Sequence, residues 1–113
     1  MATGFSLCSA FAAPPLQVQR DVDFLLAGIG SSGCVFYRNG SWSDAPDAEA
    51  HLRSKYRSLS AMDGIDTTEQ FIERAATRSS LSGQDYAVRC GGGPVVSSRQ
   101  WLLDRLARHR AQP

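Results

Sequence analysis

The 113-residue chain has no long apolar run; nothing in it approaches the ~18 hydrophobic residues that a membrane-spanning helix needs. It has no excess of one charge. Lys+Arg is 12 and Asp+Glu is 11, a net charge of +1, which argues against a strongly basic nucleic-acid binder. Cysteine is scarce, at three, and no Cys-x-x-Cys occurs; two Cys with two His at their spacing make a poor zinc site. There is no G-x-S-x-G nucleophile elbow, and no Gly-Lys-Ser/Thr follows Gly91-Gly92-Gly93, so a P-loop is excluded on pattern. The chain is too short for a doubly wound dinucleotide fold or a (β/α)₈ barrel, and at ~100–200 residues per domain it makes one domain. What is there is ordinary for a globular domain: 42% hydrophobic and 20% charged residues.

Residues 1–13, MATGFSLCSAFAA, carry no charge and are rich in Ala, Ser and Phe. Ala10-Phe11-Ala12 has the small-x-small form of a signal-peptidase site. The basic start of an export signal is missing and the apolar stretch is short. The expectation is a truncated signal peptide over 1–12 and a single compact domain over 13–113. Cys8 falls inside the signal. Cys34 and Cys90 then remain as an even pair in an exported chain, which favours a disulfide over two separate buried thiols.

Val18, Val22, Leu25, Leu26 and Ile29 mark one face of a helix over 16–29, ended by Gly28, Gly30 and Gly33. Residues 34–38 favour a strand, Asn39-Gly40 a tight turn, and Trp42 lies beyond it in a hairpin. A second helix spans 45–60, with Ala48, Leu52, Tyr56 and Leu59 inward and Glu49 four residues before Arg53. Asp66-Thr67-Thr68-Glu69 reads as a capping box with Asp66 as the cap, starting a helix that buries Phe71, Ile72, Ala75 and Ala76. Ser79-Ser80-Leu81-Ser82-Gly83 is a loop. Tyr86, Val88 and Cys90 alternate as a strand, and pairing it with 34–38 brings the two cysteines together. After the turn at 91–94, Ser97 or Ser98 caps a last helix over 99–109 that packs Leu102, Leu103 and Leu106. The expected fold is α+β, in the order α-β-α-α-β-α, with a small antiparallel sheet of two to four short strands against about four helices.

Little of this reads as chemistry. Gly28-Ile29-Gly30-Ser31-Ser32-Gly33 matches G-x-G-x-x-G, but a helix precedes it and a strand follows, the reverse of a dinucleotide site. Ser79, Ser80, Ser82 and His51 lack an acid placed to orient the histidine. Lys55, four residues after His51, is a poor metal ligand. Arg105, Arg108, His109 and Arg110 suit a helix C-terminus.

Four segments together resemble one family. They are Phe36-Tyr37-Arg38-Asn39-Gly40; Asp47-Ala48-Glu49-Ala50-His51-Leu52 with Lys55; Ile65-Asp66-Thr67-Thr68-Glu69-Gln70-Phe71-Ile72; and Ser79-Ser80-Leu81-Ser82-Gly83 followed by Tyr86. In this order and spacing they are similar to the YfeK-like family of small bacterial periplasmic proteins, whose function is unknown. Asp47 stands where that family often has Glu, and Gln84-Asp85 where it often has Lys-Pro. The resemblance implies an exported, periplasmic protein and supplies no catalytic residues.

The matched positions include a polar set that core packing does not require: Arg38, Asn39, His51, Lys55, Ser79, Ser80, Ser82, Gly83 and Tyr86. With the strands paired, the 38–40 turn and the start of the second strand near Tyr86 fall at one end of the sheet, with the 79–83 loop beside Arg38; His51 and Lys55 lie four apart on one edge of the second helix. The set forms either a recognition surface for a carboxylate, a sugar or a partner loop, or a buried polar network. The expectation is a periplasmic binding or accessory protein without catalytic activity, cofactor or metal. Its expected partner is a periplasmic protein or a cell-wall component, with no nucleic acid and no stable membrane anchor; the oligomeric state stays open. A second reading is an inhibitor or immunity protein of a lysozyme-like cell-wall hydrolase. Ser82-Gly83-Gln84-Asp85-Tyr86 has the form S-G-x-x-Y, similar to the loop that some periplasmic lysozyme inhibitors insert into an active-site cleft. A third is a small hydrolase using His51 and a loop serine or Tyr86.

Overall fold

The computed structural model describes residues 13–112. The expected signal segment 1–12, with Cys8, lies outside the described residues. The elements are α1 (Leu16–Gly30), β1 (Val35–Arg38), β2 (Ser41–Ser43), α2 (Ala45–Met62), α3 (Thr68–Ala75), β3 (Ala87–Arg89), β4 (Val95–Ser97) and α4 (Ser98–Ala111). The α+β order α-β-α-α-β-α holds, with each β unit a two-stranded hairpin.

The sheet order is β2-β1-β3-β4, antiparallel throughout. Its two central strands come from opposite halves of the chain. Phe36 pairs with Val88, and Val35 with Arg89. That register sets Cys34 beside Cys90, and the two form a disulfide with their Cα atoms 4.2 Å apart. Phe36 and Val88 point to the helices and are buried; Val35, Trp42 and Val95 lie exposed. Alternation along a strand explains this division: one sheet face is covered and the other is open.

The helices bury the stripes that their spacing predicts. Val18, Val22, Leu25, Leu26 and Ile29 of α1 meet Phe71, Ile72, Ala75 and Ala76, and Leu102 and Leu106 of α4 close the same core. Leu103 is only partly buried at its margin. Two local expectations are corrected. First, α1 continues through Gly28 and ends at Gly30, with Ser31 as its C-cap. Gly30 suits this position because a Cβ there would run into the Glu49 carboxylate of α2. Second, Thr67, not Asp66, caps α3: its hydroxyl accepts from the Gln70 N–H at 3.1 Å. Gln70 reaches back to the Asp66 N–H at 2.8 Å, so the box is shifted by one residue and Glu69 is left for another partner.

Arg108, His109 and Arg110 do lie in the last turn of α4, and this basic end does more than complement a helix dipole. Arg110 forms ion pairs with Glu69 of α3 and with buried Asp21 of α1, while the His109 ring stacks on Phe24 at 3.9 Å. These contacts tie three helices together.

Candidate functional site

The β1–β2 turn sets one wall of the site. Asn39 and Gly40 take φ of 52° and 85°, the left-handed pair that a two-residue type I′ hairpin needs. The turn leaves Arg38 at the end of β1, beside the 79–83 loop. That loop is organised by Ser79, which is buried. Its N–H donates to the Gln84 carbonyl at 2.9 Å, and its carbonyl accepts from Gly83 at 3.0 Å. Its hydroxyl oxygen accepts from the N–H groups of Leu81 and Ser82, at 3.1 and 3.2 Å. The Ser82 hydroxyl then donates to Asn39 Oδ1 at 2.6 Å, bracing loop against turn.

Tyr86 enters from the start of β3, on the same face as Val88. Its N–H donates to Thr77 and its carbonyl accepts from Ser98, so its backbone is fixed on both sides. Helix α2 brings His51 and Lys55 one turn apart onto the Tyr86 hydroxyl. Lys55 Nζ donates to it at 3.3 Å, and His51 Nε2 lies 3.3 Å from it. Lys55 also donates to the Arg78 carbonyl at 3.3 Å and sits 5.0 Å from the Tyr86 ring centre.

These groups surround a cavity of about 210 Å³ lined by Arg38, Asn39, His51, Lys55, Ser79, Ser80, Leu81 and Tyr86. Seven of the nine residues singled out from the sequence line it. Ser82 and Gly83 do not: Ser82 holds Asn39, and Gly83 turns the loop at φ 74°. The residue that sequence reasoning missed is Leu81, 91% exposed at the loop tip. Its only signal was an apolar side chain within a run of serines.

The charge here is one-sided. No Asp or Glu lines the cavity, and among the described residues neither Arg38 nor Lys55 forms an ion pair. Burial lowers the pKa of His51, helped by the positive charges of Arg38 and Lys55. Burial also lowers that of Lys55, with Arg38 adding to it. Tyr86 is pushed up by burial, partly offset by Arg38. Near neutral pH these directions leave His51 uncharged. The ammonium can only donate to Tyr86, so the tyrosine proton is free to point at His51 Nε2, with Nδ1 carrying the ring hydrogen. A larger groove between α1 and α2, about 480 Å³, differs in kind. Its Arg53 is neutralised by Asp23 and Glu49, at 3.1 and 2.7 Å.

No hydrogen bond joins His51 to a serine among the described residues. The Ser79 oxygen accepts two N–H bonds and Ser82 donates to Asn39. Among the described residues no three His, Cys, Asp or Glu side chains converge to hold a metal ion. The arrangement offers donors and positive charge to a ligand.

Residues 16–110 match a family of unknown function, DUF5329. The chain belongs to this family. Over 52 residues it is 40% identical to the uncharacterised protein YfeK of Salmonella typhimurium (strain LT2), covering 46% of this chain and 42% of that protein. The match therefore spans less than half the length of YfeK, although the DUF5329 match runs through every helix and strand described above. No solved structure matches the chain significantly.

Proposed function

We propose that this DUF5329 protein is an exported, non-catalytic binding or accessory protein of the bacterial periplasm, with the cavity at the sheet end as its recognition site. The supporting observation is a cavity lined by positive charge that has no ion-pair partner among the described residues, where no serine is hydrogen-bonded to His51. One further feature agrees with export: the chain carries a disulfide, a bond that persists in oxidising compartments. The partner is a periplasmic protein or a cell-wall component.

The test combines retention with turnover. Purified, oxidised protein is immobilised and exposed to soluble cell-wall fragments, whose masses are read before and after. Retention without change in mass is the expected result, lost in an Arg38→Ala/Tyr86→Ala variant whose fold is checked by circular dichroism. Fragments returned cleaved would replace this reading with an enzyme. Equal retention by both proteins would move the site elsewhere. Fractionation of expressing cells checks the location, and a protein confined to the cytoplasm would remove export.

The inhibitor reading keeps one observation in its favour. Leu81 projects from the loop tip as an apolar anchor for a protein contact. Tyr86 of the S-G-x-x-Y run, however, is 6% exposed and turned inward, so a partner's cleft would have to take the loop without it. Lysozymes that run at full rate in the presence of excess protein would eliminate this alternative.

A further inference from the structure

We propose that the cavity is an anion site built for a small carboxylate. This rests on the reading of the cavity as a binding site and adds the chemical class of what it binds. Arg38 from β1 and Lys55 from α2 line one space of about 210 Å³ and, among the described residues, have no carboxylate against them. Lys55 is half-buried and, among the described residues, its hydrogen bonds go to the neutral oxygens of Tyr86 and Arg78. A charge withdrawn from water without a counter-ion is unfavourable, and a bound anion would offset it. The lowered pKa of Lys55 has the same origin.

The form of the donors selects among anions. Phosphate sites commonly use clustered backbone N–H groups at helix starts or in nests. Here the N–H groups of Leu81 and Ser82 are spent on the Ser79 hydroxyl, and that of Gly83 on the Ser79 carbonyl. The cavity is left with side-chain donors, chief among them the planar guanidinium of Arg38, whose fork matches two oxygens of a carboxylate or of a phosphate, so it is the lack of free backbone donors that favours the carboxylate. The space is below the ~300 Å³ at which drug-sized ligands are enclosed. At ~30 Å³ per liquid water it holds about seven waters, the bulk of one sugar ring or one amino-acid residue. Asn39 and Ser80, both exposed, also line it and offer hydrogen bonds to a hydroxylated or amide-bearing body.

The experiment follows the ring signals of His51 and Tyr86 by NMR in the oxidised full chain. Two carboxylate probes represent two sources: glucuronate for a sugar acid, and alanyl-alanine for a peptide C-terminus. Glucose and inorganic phosphate are the comparisons. Saturable shifts with at least one carboxylate, and none with glucose at equal concentration, are the expected result. Lys55→Met and Arg38→Met keep the aliphatic stem and remove the charge. Each is expected to weaken binding by roughly tenfold to a hundredfold, the worth of a charged hydrogen bond. Arg57→Met, on the exposed side of α2, is the charge-matched control and leaves binding unchanged. Glucose shifting the signals as strongly as glucuronate would overturn the anion site while sparing the binding site. Phosphate alone binding would overturn the carboxylate. Signals unmoved by all four probes at millimolar concentration would remove the anion site; cell-wall fragments retained in the earlier test would still keep the binding reading.

Discussion

Asp21 is a carboxylate with 1% of its surface exposed, held on the inner face of α1. Burial pushes its pKa up, but hydrogen bonds from Gln17, Thr68 and Arg110 outweigh this and hold the group below the ordinary carboxylate value. The sign follows. The stabilisation is complete above the unfolded value of ~3.9 and is lost as pH falls through the lower folded value. Asp21→Asn is therefore expected to flatten the acid limb of stability measured by urea unfolding. An unchanged limb would assign it to Glu69, whose pKa Arg110 also lowers. Asp21→Ala strands the buried Thr68 hydroxyl and should cost about 1–3 kcal/mol at neutral pH. His51 gives the opposite kind of prediction. Its lowered pKa keeps it neutral until pH drops below the ordinary value of ~6.5, where it adds a third positive charge beside Arg38 and Lys55, across from Tyr86. Glucuronate binding is expected to strengthen on acidification while the probe stays ionised, and His51→Gln should abolish that rise. Without ligand, stability falls across the same window, because the unfolded chain takes the proton more readily than the folded one.

The strand pair β1–β3 is the element on which the site depends. Its disulfide lies at one end of the pair and the cavity at the other. The cysteines are 56 positions apart, and closing a loop of that size restricts the unfolded chain by roughly 4 kcal/mol. A Cys34→Ala/Cys90→Ala variant is expected to lose about that much stability in urea titrations. A loss near zero would mean the sheet holds its register unaided. This pairing was legible in the sequence because two signals agreed: alternation over 86–90 and an even pair of cysteines. β4 was not. It has three residues, all exposed, too few for a period of two to register. The α3 cap was misplaced because Asp66 and Thr67 are both good capping residues, and only the backbone decides between them.

Across the whole molecule, the helices cover one side of the sheet and leave the other to solvent. Val35, Trp42 and Val95 are 39%, 45% and 55% exposed there, and Trp42 packs edge-on against Tyr37 at 5.4 Å. The cavity sits at the rim between the two layers, where polar groups stay accessible yet partly desolvated. Its residue set was readable before the fold because those residues were awkward for a core. The lock of Arg110 on Asp21 was not, since 89 positions separate the partners, Arg110 read as an ordinary charge at a helix C-terminus, and Asp21 carried no signal of its own.

The separation of β1 from β3 also orders events in time. Arg38 and Asn39 are made early, and Tyr86 only after α2, α3 and the 79–83 loop have been added. At ~5–20 residues per second, the first hairpin waits roughly 2–10 s on the ribosome for its partner strand to be synthesised. A chain cut short anywhere in that interval has one half of the sheet and lacks Tyr86, so the cavity stays open on the β3 side.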